Sequence, residues 1–166
     1  LMVHLFYPAG AKAAGAPAAY FPDADVPGGP WSEGQMARLA AMRVRSIESA
    51  ALPSGRTRFP VVLFSPGGGV KALTYHVFLE DLASHGWIVA AVDPPYNPRA
   101  MRMADGRVLG NLKPEERGWP QPRNGVEAEK FYKERLWHWS RDISFVIDQL
   151  AALDQGRGQF AGRLDL

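Results

Sequence analysis

Two runs of apolar residues with no polar interruption, joined by a glycine loop and a stretch of helical period, organise this chain. They lie within Phe59–Asp93, FPVVLFSPGGGVKALTYHVFLEDLASHGWIVAAVD. Val61–Phe64 is apolar at every position. That is the pattern of a strand covered on both faces, as in a parallel sheet flanked by helices. Lys71–Ser84 reads as helix, with Phe78, Leu79 and Leu82 as its apolar stripe and Thr74 as its candidate cap. Gly86 is placed to end it in a left-handed cap. Trp87–Val92 then forms a second buried strand, which ends on Asp93. The connection is long enough to be the right-handed helical crossover that parallel strands require.

The flanks are less regular. Met2–Tyr7 (MVHLFY) is rich in residues that suit a pleated, half-buried surface and predicts an early strand closed by Pro8. Between Pro8 and Pro30, five prolines and four glycines interrupt the alanines too often for a helix, and irregular surface chain is expected. Ser32 is placed to cap a helix beginning near Glu33, with Met36, Leu39, Ala40 and Val44 on its apolar side and Arg38, Arg43 and Arg45 on a solvated face. Ala50–Arg58 reads as turns. Pro94–Pro122 is a second proline-rich excursion, with a turn at Asp105–Gly106 and a short edge strand at Arg107–Leu109. Glu127–Leu153 is the longest helical pattern. Tyr132, Leu136, Trp139, Ile143, Val146, Ile147 and Leu150 recur at spacings of three and four, which predicts a broad packing face. Leu164–Leu166 resembles the approach to a further strand. A sheet with two parallel strands and a last helix that should return to another strand is not a finished domain. Residues 1–166 are therefore expected to be the N-terminal part of a single domain.

Composition narrows the chemistry. With 166 residues and 46% apolar content the chain can bury a sizeable core. It has no cysteine, which removes disulfides, thiolate metal sites and thiol nucleophiles. The net charge of +2 comes from scattered arginines with no long basic run, so nucleic acid is not an expected partner. No window reaches the roughly 18 uninterrupted apolar residues of a membrane-spanning helix. The chain begins at Leu1 rather than a start methionine, and residues upstream are expected. The compartment stays open between secreted, periplasmic and cytoplasmic.

Candidate chemistry concentrates in Ser65-Pro66-Gly67-Gly68-Gly69-Val70, at the carboxyl end of a parallel strand, where open α/β sheets bind ligands. Glycines there permit a sharp turn and close approach by a ligand. A phosphate loop would want Lys-Ser/Thr opening the helix, but Lys71 is followed by Ala72. The dinucleotide pattern G-x-G-x-x-G also fails after Gly69. A backbone N–H aimed at a developing oxyanion fits best, beside the plain alternative of a tight loop without catalytic duty. No serine lies in G-x-S-x-G, so none here is expected to be an activated nucleophile. Asp93 reads as a strand-end structural residue, with a catalytic acid as the other reading. His76, His85 and His138 lack the partners of a metal site, and neither metal nor cofactor is expected.

FPVVLFSPGGG, DLASHGWIVAAVDPPYN, the opening MVHLFYPA and the late ERLWHWSRDISFVIDQL together resemble the platelet-activating factor acetylhydrolase family and its bacterial lipase and polyester-hydrolase-like relatives. The resemblance implies an α/β-hydrolase fold, here the N-terminal part of a mostly parallel sheet flanked by helices. It implies a serine hydrolase acting on a small ester or phospholipid-like substrate, as in lipid degradation. Gly68 would supply an oxyanion-hole N–H, and Gly67 and Gly69 would support the loop. The sequence departs from the family at Pro66, where histidine is usual, so bonding around the loop must differ. The nucleophile elbow and the other triad residues would lie beyond Leu166, making the remaining C-terminal part of the same protein a candidate partner. Other readings are a dienelactone-hydrolase-like or peptidase-like relative, and a non-catalytic interaction fragment.

Overall fold

The computed structural model of the chain describes residues 1–11, 13–22, 26, 31–55, 58–95, 97, 100–110 and 122–166. Its centre is the strand pair that the apolar runs predict. β4 (Phe59–Phe64) and β5 (Ile88–Asp93) are parallel, with Val61 opposite Ile88 and Phe64 opposite Ala91. β1 (Met2–Phe6) pairs antiparallel with β5 on its other side, and β8 (Leu164–Asp165) runs parallel to β4. The main sheet is thus ordered β1-β5-β4-β8.

Every residue of β5 is buried, and its side chains divide between two layers, as strand alternation dictates. Val89 and Ala91 pack with Phe6, Leu79 and Ala83, under the helix α2 (His76–Ser84). Ile88, Ala90 and Val92 pack on the opposite face with Val146 and Leu150 of the long helix α3 (Gly125–Gln155). Helices therefore cover both faces of the strand, which explains its unbroken apolar sequence. β4 is only half-buried after Phe59. Among the described residues, β8 pairs with Phe59 and Pro60 alone, so one edge of Val61–Phe64 carries no strand.

The segment read as one helix over Lys71–Ser84 is two elements. A 3₁₀ turn (Ala72–Tyr75) precedes α2, and Thr74 spends its hydroxyl on the Lys71 carbonyl (2.7 Å) rather than capping α2. At the other end, Gly86 has φ +95°. Trp87 N–H bonds the Leu82 carbonyl and Gly86 N–H the Ala83 carbonyl. This double bond pattern around a left-handed glycine is the Schellman cap.

Elsewhere the structure corrects the sequence reading. α1 (Glu33–Ala41) has the capping box of Ser32 and Gln35, but it stops before Val44. Arg43, Val44 and Arg45 belong instead to β3 (Arg43–Ile47), which pairs antiparallel with β2 (Pro17–Ala19) from the stretch read as irregular. β6 (Ala100–Arg102) and β7 (Val108–Gly110) form a hairpin around Asp105–Gly106, with Gly106 at φ +85°. Residues 111–121 of the second excursion lie outside the described residues. On α3, Val146 and Leu150 are buried, while Tyr132, Leu136 and Ile147 of the expected packing face are exposed.

Candidate oxyanion turn at the strand tips

Because β4 and β5 are parallel neighbours, the chain leaving each arrives at the same end of the sheet. The glycine loop follows β4, and Asp93 and the residues after it follow β5. Within the loop, Val70 N–H bonds the Gly67 carbonyl (3.2 Å), closing a four-residue turn. Gly69, at its third position, has φ +79°. A positive φ at that position alone is the mark of a type II turn, and glycine adopts it without strain. Gly67, Gly68 and Gly69 are all solvent-exposed.

The turn is held from the side by Asn97. Its Oδ1 accepts from Gly69 N–H (2.9 Å), and its Nδ2 donates to the carbonyls of Gly67 (3.2 Å) and Val70 (3.3 Å). Arg135 of α3 donates through Nη2 to the same Oδ1 (3.0 Å). Asn97 is buried. The N–H of Gly69 and that of Val70 are thus committed, whereas the N–H of Gly68 bonds nothing among the described residues.

Asp93 sits at the adjacent strand tip with 2% of its surface exposed. Its Oδ1 accepts from Ala72 N–H (2.7 Å), the first N–H of the 3₁₀ turn that follows the glycine loop. Its Oδ2 lies 3.6 Å from His4 Nε2 on β1. The carboxylate therefore ties β5 to the segment leaving β4 and faces a histidine on the neighbouring strand. A carboxylate at a helical N-terminus also complements the partial positive charge there.

The other candidates lie apart from the turn. His76 is buried on α2, edge-on to Phe6 (4.9 Å between ring centroids), with Nε2 3.6 Å from Glu80 Oε1. Burial holds its imidazole below the ordinary pKa, against the opposing pull of Glu80. His4, Phe6, Ala19, Ser46, Leu73 and His76 wall part of a 420 Å³ cavity along β1 and the β2–β3 strand pair, and the glycine turn is not among its walls. His85 is exposed beside Asp81, its i−4 neighbour. Among the described residues, no three histidine, aspartate or glutamate side chains converge as metal ligands. Likewise, no helix is long and apolar enough to cross a membrane. Of the expected site residues, the structure brings Gly67, Gly68, Gly69 and Asp93 to one end of the sheet. Asn97 and Arg135 were not singled out from sequence.

A family model described as platelet-activating factor acetylhydrolase, isoform II, matches residues 3–158. The chain belongs to this family. No curated protein matches it. Among solved structures, a ferulic acid esterase from Streptomyces cinnamoneus is similar, with 27% identity and a TM-score of 0.66. The match covers 98% of this chain and 41% of the esterase. The chain therefore spans about two fifths of that relative's length. The mixed sheet flanked by helices is that of an α/β-hydrolase, as the platelet-activating factor acetylhydrolase resemblance implies.

Proposed function

We propose that this chain supplies the oxyanion-loop half of a serine-type carboxylic ester hydrolase site, with the attacking serine and its triad partners outside residues 1–166. The supporting observation is the N–H of Gly68, which bonds nothing among the described residues, on an exposed turn at the tips of two parallel strands. An N–H that spends nothing on the ground state is available to the negative oxygen that forms when serine attacks an ester carbonyl. Histidine takes the serine proton, the alcohol leaves, and water clears the acyl-enzyme. The family suggests a short or oxidised acyl group, often on a phospholipid-like alcohol. The ferulic acid esterase relative adds aromatic acid esters to the candidate substrates. Gly67 and Gly69 support the turn, and Asp93 braces the strand end without taking part in proton transfer.

The test uses the full-length protein, a short-chain nitrophenyl ester, a feruloyl ester and a fluorophosphonate probe. Hydrolysis with the probe on a serine outside residues 1–166 is the expected result. Labelling inside these residues overturns the division of roles. No turnover and no labelling favours a non-catalytic interaction module. The Gly68 amide is tested by comparing Gly68→Pro, which deletes the N–H, with Gly68→Ala, which keeps it. A Cβ at position 68 would meet nothing within 4 Å. The proline variant should lose about 10²–10³-fold in kcat relative to the alanine variant, the usual consequence of removing one oxyanion donor. Equal rates would remove Gly68 from the site.

A further inference from the structure

Three consecutive glycines form the least restrained backbone a chain can offer. An oxyanion donor, however, is effective only when it is held in place before the charge develops. Something other than the turn's own sequence must therefore fix it. Pro66 has no N–H to contribute. Asn97 supplies the fixings instead.

A carboxamide has two N–H donors and an oxygen with two lone pairs. All four of these capacities are used here: two carbonyls of the turn, one N–H of the turn and the Arg135 guanidinium. The pattern also fixes the amide's orientation. Exchanging oxygen and nitrogen would set the NH₂ group against the Gly69 N–H and the guanidinium, donor facing donor. Arg135 is itself restrained. Its guanidinium lies over the rings of Trp139 (4.7 Å) and Phe131 (5.8 Å), one helical turn to either side on α3. A continuous line of contacts thus runs from α3 through Arg135 and Asn97 to the turn.

The distribution of these bonds is the informative part. Asn97 binds Gly67, Gly69 and Val70 and leaves Gly68 alone. We infer that Asn97 is the positioning residue of the oxyanion turn, and that Arg135 locks its carboxamide so that Gly68 N–H stays presented and unspent. This rests on the ester-hydrolase reading above. Arg135 also brings a positive charge next to the turn, which favours a negative oxygen there.

The experiment compares the full-length protein with Asn97→Leu, Asn97→Asp and Arg135→Lys. Leucine keeps the bulk and removes every bond. Aspartate keeps both acceptor bonds and removes both donor bonds. Lysine keeps the charge and removes the planar fork. Hydrogen exchange is followed in the peptide covering Gly67–Val70 and in β5. Turnover is measured per fluorophosphonate-titrated site, so that loss of folded protein does not enter the rate. In Asn97→Leu the turn amides should exchange about 10-fold faster with β5 unchanged, and kcat per site should fall roughly 10–100-fold with KM within about twofold. The other two variants should move the same way by less.

Unchanged exchange of the turn in Asn97→Leu overturns the inference whatever the rate does. A loosened turn with wild-type kcat per site overturns the positioning role. A wild-type protein that neither cleaves esters nor takes the probe sinks the hydrolase reading instead, and exchange alone then decides whether Asn97 holds the turn.

Discussion

Asp93 separates two accounts of the strand tip, and its substitution gives a quantitative prediction. Its Oδ1 accepts from Ala72 N–H at 2.7 Å, and Ala72 is 0% exposed. Asp93→Ala would leave that N–H buried without its acceptor. A hydrogen bond to a charged group contributes about 1.5–3 kcal/mol, and the orphaned donor keeps its desolvation cost. We therefore expect a loss of about 2 kcal/mol. Asp93→Asn keeps a neutral acceptor, worth about 1 kcal/mol, and should lose about half as much. His4 at 3.6 Å adds little to either figure. With a urea m-value of about 2 kcal/mol/M, the midpoint should fall by about 1 M for alanine and about 0.5 M for asparagine, with the slope unchanged. Equilibrium unfolding followed by far-UV circular dichroism measures both shifts. Turnover per titrated site, measured below the unfolding transition, should stay within a few-fold of wild type in Asp93→Asn. A variant with the wild-type midpoint and abolished turnover would refute the bracing role and make Asp93 a catalytic acid.

Two further outcomes follow from the core. His76 has its pKa lowered below the ordinary 6.5, first by burial, with His4 adding to the effect and Glu80 opposing it. The unfolded chain therefore takes up this proton at a higher pH than the folded one, so stability present above pH 6.5 is lost as the pH falls below it. The urea midpoint should drop between pH 7 and pH 5, and His76→Phe should flatten that slope; equal slopes would show that another group is responsible. Leu79 is 0% exposed in the layer between α2 and β5. Leu79→Ala should cost about 2–5 kcal/mol in the same unfolding assay, and a loss below about 1 kcal/mol would mean that this layer is loosely packed.

The parts of the fold that were legible in sequence are those whose cause is local. Val61–Phe64 and Ile88–Val92 read as strands because no polar residue interrupts them, although only the second is fully buried, and Gly86 read as a helix end because a glycine follows the last apolar turn. The β2–β3 pair was illegible for the opposite reason. Pro17–Ala19 has no strand propensity of its own and becomes a strand only by pairing with Arg43–Ile47. The same pairing draws Val44 out of the expected helix, which ends as Met42 turns extended at ψ 139°. On α3 the periodicity gave a true helix but not its cover. Leu136, 61% exposed, and Leu150, 4% exposed, belong to one sequence pattern and meet different surroundings.

The site divides along the same line. The glycines announce a turn by themselves, but Asn97 acquires meaning only from the pairing of β4 with β5. Once those strands are parallel neighbours, whatever follows Asp93 must arrive beside whatever follows Phe64. The residues that follow are Pro94-Pro95-Tyr96-Asn97-Pro98-Arg99. A turn offers both N–H and C=O groups along its side, and among these six residues only the carboxamide carries a donor pair and an acceptor together. Reading the second strand's exit against the first strand's loop would therefore have led from the glycines to Asn97. Arg135 would still have been missed, because it stands 38 residues further along on α3, and only the packing of that helix brings it, part-buried, to Asn97.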